Sequence, residues 1–221
     1  MKLFISDCDG VLIDSEILAA QMMVEHLQTF GVHIGLNDYL RTWSGMTFSS
    51  IMNALANQHG FELPPDFVEV ITQKHEAYAA AHLQPIAGVK EAYAQIALPK
   101  AVVSNSWLWQ VKHAVEFVQM QEVFGDRMFS SEMVARPKPA PDIYLHVAAH
   151  FGLKPHEIVV VEDSKSGAKA AVDAGMHVVG FAGASHILDD HTDQLYKIGV
   201  KTVVSSMADL PKAVEDLRAQ V

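Results

Sequence analysis

Asp7 and Asp9 are the first residues whose types and spacing point to chemistry. They stand two apart, after the apolar run Leu3-Phe4-Ile5 and just before Gly10. In extended backbone, residues two apart share a face, so both carboxylates aim at whatever lies beyond the strand's carboxyl end. Gly10 frees the backbone to turn there. Two acids held together repel each other unless a cation or a shared proton relieves them. A hard cation suits such a pair, and Mg²⁺ typically takes one or two carboxylates plus substrate phosphate. Three more polar clusters follow. Ser104-Asn105-Ser106 ends the run Ala101-Val102-Val103, and Glu162-Asp163-Ser164 ends the run Ile158-Val159-Val160-Val161. Arg136-Pro137-Lys138-Pro139 lies in a loop ahead of a helix.

The elements that must position these clusters can be read from hydrophobic spacing. Met1 to Ser6 is a short buried strand. Glu16 to Phe30 carries an apolar stripe at Ile17, Ala20, Val24 and Leu27, ended by Gly31. A second helix runs from about Phe48 to Gln58, with Thr47 as candidate N-cap. A third starts at Pro64-Pro65-Asp66 and ends at Pro85. Residues 16–84 therefore read as all helix. From Gly88 onward, helices alternate with strands at 100–104, 127–129, 158–161, 177–181 and 202–204. That alternation implies a parallel sheet with helices on both faces. The first strand belongs to the same sheet, because buried parallel strands are continuous apolar runs. The expected domains are a core of residues 1–15 and 85–221 and an inserted helical domain of residues 16–84. Ligands of open parallel sheets bind beyond the carboxyl ends of the strands, and three of these strands end in the clusters above.

The stretch Asp7-x-Asp9-Gly10-Val11-x-x-Asp14-Ser15 resembles the opening motif of the haloacid dehalogenase superfamily, in its phosphatase and phosphomutase branch. Ser104, Lys138 and Glu162/Asp163 match the remaining motifs in order, so the resemblance covers nearly the whole chain. It implies an α/β fold: a doubly wound parallel-sheet, Rossmann-like core with an inserted all-helical cap that closes on hinges near Ser15–Glu16 and Gln84–Gly88. It also implies roles. Asp7 is the nucleophile that forms an aspartyl-phosphate. Asp9 is general acid and then general base, a device typically worth about 10²–10⁴-fold. Mg²⁺ is the implied cofactor, held by Asp7, the Asp9 carbonyl and Asp163, with Glu162 either a ligand or beside one. Lys138 sets a cation against Asp7 and the phosphoryl oxygens. Ser104 and Asn105 donate hydrogen bonds to those oxygens, and Gly10 turns the backbone around them. The cap's substrate loop is expected at Arg41–Thr47, with Ser44 and Thr47 flanking Gly45 and with Trp43 and Met46 as apolar walls. Sugar-phosphate mutases and some sugar-acid phosphatases of the superfamily carry Lys or Arg at the flanking positions. A neutral or polyhydroxylated far end is therefore expected, with Arg41 available to an anion.

The implied activity is Mg²⁺-dependent hydrolysis of a small phosphate monoester: a sugar, sugar-acid or polyol phosphate. A β-phosphoglucomutase-type mutase is the alternative, but its histidine five residues after the motif's last Asp is Ala19 here. Dehalogenases of the superfamily lack the second acid, which Asp9 supplies. Phosphonate hydrolases of the superfamily use a cap lysine, and residues 15–73 contain none. A receiver-like signalling domain would place its acidic pair before the phospho-acceptor; here Glu162-Asp163 comes last.

The rest of the composition narrows the class. The formal net charge of −10 argues against nucleic-acid or anionic-membrane partners, which need Lys/Arg surfaces. A small phosphorylated metabolite needs only local positive charge. Cys8 is the one cysteine, which suits a reducing compartment. A Cys-dependent phosphatase would need an arginine six residues on, where Asp14 stands; Cys8 reads as packing. No signal peptide is recognisable, and no run approaches the roughly 18–20 apolar residues that span a bilayer. The expectation is a cytoplasmic monomer or weak homodimer. His146 and His150 share a helix face and read as exposed. Trp107 and Trp109 fit either core or site rim. Gly183-Ala184-Ser185-His186 fits either a pocket rim or a connector.

Overall fold

The structure, a computed structural model, describes residues 1–43 and 48–219. β1 (Leu3–Ser6) opens the chain. Helices α1 (Glu16–Gln28), α2 (Leu36–Trp43), α3 (Phe48–His59) and α4 (Phe67–His82) follow. After them come α5 (Val89–Gln95), β2 (Lys100–Ser104), α6 (Leu108–Phe117), α7 (Gln121–Phe124), β3 (Met128–Ser130) and α8 (Asp142–His150). The chain closes with β4 (Ile158–Glu162), α9 (Lys165–Asp173), β5 (His177–Phe181), α10 (His191–Ile198), β6 (Thr202–Val204) and α11 (Leu210–Arg218). It divides into two compact units, Met1–Asp14 with Pro85–Val221, and Ser15–Gln84.

In the first unit the strands form a six-stranded sheet of order β3-β2-β1-β4-β5-β6. All its pairings are parallel. This is the α/β doubly wound architecture expected. β1 is central, with β2 on one side and β4 on the other, so the strand order reverses beside it. Ser6 pairs with Val102 of β2 and with Val161 of β4. That register brings the residues just past Ser6, Val102 and Val161 to one level.

Both faces of the sheet are covered, which is why its strands read as unbroken apolar runs. Leu3, Ile5, Ala101, Val103, Ile158 and Val160 pack against α8 and α9. On the opposite face the Phe4 ring meets Tyr93 of α5 edge-on at 5.1 Å. Burying one such aliphatic or aromatic side chain is worth about 1.5–3 kcal/mol. That burial anchors strands whose tips carry charge.

The helical unit buries Leu18, Met22, Met23 and Leu27 of α1 together with Ile51, Met52 and Leu55 of α3 and Ile71 of α4. Gly31, at φ +73°, lets the chain leave α1 while the Val32 N–H bonds back to the Leu27 carbonyl, a helix stop that favours glycine. α2 has no counterpart among the three helices expected from the sequence. Its spacing was nonetheless present: Leu36, Tyr39, Leu40 and Trp43 fall at helical intervals, and Tyr39 and Leu40 are buried. Among the described residues no helix is long and apolar enough to cross a membrane.

Candidate active site

The carboxyl ends of β1, β2 and β4 converge at the switch point, and Asp7 sits at their centre. Its N–H bonds to the Val161 carbonyl at 3.0 Å, continuing the β1–β4 ladder by one residue. Lys138 Nζ donates to Asp7 Oδ1 at 2.8 Å, to Glu162 Oε1 at 2.6 Å and to the Val103 carbonyl at 3.0 Å. Its three protons are thereby committed, and the ammonium also lies 5.1 Å above the Tyr144 ring centre. Asn105 fixes the backbone that delivers it. Its amide donates to the Lys138 carbonyl at 3.0 Å and accepts from the Lys138 N–H at 2.9 Å. The Asn105 side chain thus docks the lysine loop.

Asp9 turns toward β2. Its Oδ2 accepts from Ser106 Oγ at 2.7 Å and from Ser104 Oγ at 3.2 Å. Ser104 Oγ in turn accepts the Ser106 N–H at 2.9 Å. Gly10 takes φ +71°, and a Cβ there would lie 1.9 Å from Asp163 Oδ2. Glycine is thus required twice, for the turn and for the approach of the Asp163 carboxylate.

Glu162 is fully buried and fully bonded. Oε1 accepts from Lys138 and from Tyr144 Oη at 2.8 Å. Oε2 accepts from the Ser164 N–H at 3.2 Å and from Ser164 Oγ at 3.0 Å. Gly167, in the first turn of α9, makes room for it: a Cβ there would stand 1.8 Å from Oε1.

Charge dominates this site. Carboxylate oxygens of Asp7, Glu162 and Asp163 lie within 4.8 Å of one another, and all three residues are buried. Burial and then the Glu162 charge push the Asp7 carboxyl well above the usual range, against the pull of Lys138. For Lys138, burial works against the charged form, but Asp7 and Glu162 outweigh it and hold the ammonium well above its usual value. Burial, then Asp9 and Asp7, raise the Cys8 thiol, so this buried cysteine is a poor nucleophile. Three buried carboxylates against one ammonium leave an excess of negative charge. A divalent, oxygen-seeking cation fits that donor set.

The family profile described as haloacid dehalogenase-like hydrolase matches residues 4–181. The chain belongs to the haloacid dehalogenase-like hydrolases. A 6-phosphogluconate phosphatase of Escherichia coli K12 is 29% identical to this hydrolase over 181 residues, which is 81% of this chain and 82% of the relative. A haloacid dehalogenase-like protein of unknown function from Agrobacterium tumefaciens C58 has a TM-score of 0.91 at 35% identity, with 99% of both chains covered. A hydrolase of the family from Deinococcus radiodurans R1, solved with bound phosphate and sodium, has a TM-score of 0.86 at 29% identity. That match covers 99% of this chain and 96% of the other. With its relatives named as phosphatases, this hydrolase stands among the phosphoric monoester hydrolases.

In this hydrolase the structure brings together Asp7, Asp9, Gly10, Ser104, Asn105, Lys138, Glu162 and Asp163, all in the sheet unit. Trp43 ends α2 in the helical unit, while Ser44, Gly45 and Thr47 fall outside the described residues. Trp107 and Trp109 are 59% and 57% exposed, so they are surface residues and not core. His146 and His150 are exposed as expected and stand near the Phe129 ring. Sequence reasoning passed over Ser106, the nearer of the two hydroxyls on Asp9. Its signal was its place: it lies two residues past Ser104 at the same strand tip. Tyr144 was missed as well, being a helix residue with no local mark of a polar partner.

Proposed function

We propose that this hydrolase is a Mg²⁺-dependent phosphatase that cleaves a small sugar, sugar-acid or polyol phosphate through a phosphoenzyme on Asp7. The observation that carries the reading is the Lys138 ammonium bonded to both Asp7 and Glu162 at the switch point, with the Asp9 carboxylate held separately by Ser104 and Ser106. Asp7, Asp163 and the Asp9 carbonyl are the groups assigned to the metal. When bound there, Mg²⁺ supplies positive charge to the phosphoryl oxygens and counters the buried carboxylates. Glu162, with both oxygens bonded, serves to hold Lys138.

The chain's own residues do the rest. Asp7 attacks phosphorus and forms an acyl phosphate while the bond to the leaving oxygen breaks. Asp9, protonated, gives its proton to that oxygen, so the alcohol departs neutral. Water then attacks the phosphorus of the acyl phosphate. Asp9, now ionised, takes the water's proton, and inorganic phosphate and the Asp7 carboxylate are regenerated. Lys138 keeps Asp7 oriented and lowers the repulsion between an anionic nucleophile and an anionic substrate. The relative named 6-phosphogluconate phosphatase supports a sugar-acid or related substrate class. The lack of Lys or Arg at Ser44 and Thr47 favours, within that class, a substrate whose far end is neutral or polyhydroxylated.

The test is phosphate release from a panel of sugar, sugar-acid, polyol and nucleotide monophosphates, with Mg²⁺ or with excess chelator. Wild type should turn over the sugar-derived esters only with Mg²⁺, and Asp7→Asn should be inactive throughout. Metal-independent release, or an Asp7→Asn enzyme with wild-type turnover, overturns the reading. If isomers interconvert when primed by a sugar bisphosphate and no phosphate is released, the enzyme is a mutase.

A further inference from the structure

The loop between β5 and α10 is tied to the site at several points. Ser185 donates its N–H to Asp14 Oδ1 at 3.2 Å and its hydroxyl to Asp14 Oδ2. Asp14 is the last acid of the motif that begins at Asp7. The next residue, His186, places Nε2 at 3.3 Å from Asp163 Oδ2, with side chains only 9% and 2% exposed. His191, at the start of α10, brings its Nε2 to the Asp163 backbone carbonyl. At the start of the loop, a Cβ on Gly183 would lie 2.4 Å from the Ser205 carbonyl, so the chain leaves β5 packed against the segment after β6. His186 therefore has little freedom to sit elsewhere. Its Cε1 and Asp163 Oδ2 both crowd the space where Gly10 lacks a side chain, at 3.1 and 1.9 Å from a Cβ built there.

We propose that His186 is a positioning residue for the metal site: it donates from Nε2 to Asp163 Oδ2 and fixes the rotamer of that carboxylate. The inference rests on the reading of Asp163 as a metal ligand. The ligand-distance cluster comprises Asp7, Glu162 and Asp163 and does not include His186. The imidazole accordingly works through Asp163 and not as a ligand itself. A carboxylate already held in one orientation loses less freedom on binding a cation. The Asp14–Ser185 anchor holds the imidazole in turn.

The experiment is calorimetric titration of Mg²⁺ into the intact enzyme, without substrate, for wild type, Asp163→Asn, His186→Ala, His186→Gln and Ser185→Ala. Loss of a group that orients a metal ligand typically costs about 10–100-fold in metal affinity. His186→Ala should weaken Mg²⁺ binding by that order, with turnover recovering as Mg²⁺ is raised to saturation. His186→Gln, whose amide N–H can reach Oδ2, should regain part of the affinity. Ser185→Ala should move the same way by less. Folded His186→Ala enzyme that binds Mg²⁺ like wild type overturns the inference; if that variant does not fold, unchanged affinity in Ser185→Ala does so. Equal binding by wild type and Asp163→Asn would instead overturn the ligand reading beneath it.

Discussion

Asp9 is held by two hydroxyls of unequal reach, with Ser106 at 2.7 Å and Ser104 at 3.2 Å on the same oxygen. The shorter bond should matter more for aiming a general acid. Hydrogen bonds to charged groups contribute about 1.5–3 kcal/mol. If Ser106 aims Asp9 mainly in the transition state, Ser106→Ala should lower kcat by roughly ten- to a hundred-fold with little change in KM. A matching rise in KM at constant kcat would show that Ser106 binds substrate and does not orient Asp9. The sequence disclosed this site unevenly, and the reason is distance along the chain. Asp7, Asp9 and Gly10 announce themselves because two acids and a glycine in one turn are a signal in their own spacing, whatever they meet. Ser106 meets Asp9 across 97 positions. Asn105 showed its polarity but not its target, since whether an amide faces substrate or a neighbouring backbone depends on where the Lys138 loop comes to rest. His186 was visible only as part of a loop that could be rim or connector.

At the scale of elements, the strands were legible because burial on both faces demands continuous apolar residues, and β1, β2 and β4 contain little else before their tips. α2 escaped because eight residues bounded by Gly35 give helical spacing little room to repeat. The first turn of α9 shows how an element can serve a charge. Ser164 caps it by accepting the Gly167 N–H at 3.0 Å while donating to Glu162. Alanine is a better helix former than glycine by about 1 kcal/mol, so Gly167→Ala would stabilise a free helix. Here the new Cβ would meet the Glu162 carboxyl at 1.8–2.3 Å. That carboxylate cannot swing away cheaply, because Lys138, Tyr144 and Ser164 all hold it. Overpacking commonly costs about 1–3 kcal/mol, so the variant should melt earlier than wild type and lose turnover as Lys138 shifts. A Gly167→Ala enzyme as stable and as active as wild type would mean that Glu162 is not pinned as described.

At the scale of the whole molecule, each unit carries a histidine whose neutral form the fold prefers, and acid should therefore act on both. In the helical unit His26 of α1 is buried, and Lys74 of α4 donates to its Nδ1 at 3.0 Å. Burial and then the Lys74 charge hold its pKa below the usual value. In the sheet unit, burial foremost holds His177 of β5 low as well. The sign follows from linkage. A folded state that binds a proton more weakly than the unfolded chain loses stability as pH falls through the unfolded histidine value, about 6.5. Protonating His26 would also remove the acceptor that Lys74 uses and set two cations together. Urea midpoints should therefore fall between about pH 8 and about pH 5.5. A global midpoint mixes these two with His191, which burial also holds low, so the decisive measurement is local: hydrogen exchange in α1 and α4 at the two pH values. Wild type should lose protection there on acidification. His26→Gln can still accept from Lys74 and has no proton to gain, so its α1 and α4 protection should change less while β5 responds as before. Equal acid sensitivity of α1 and α4 in the two proteins would remove His26 as the cause.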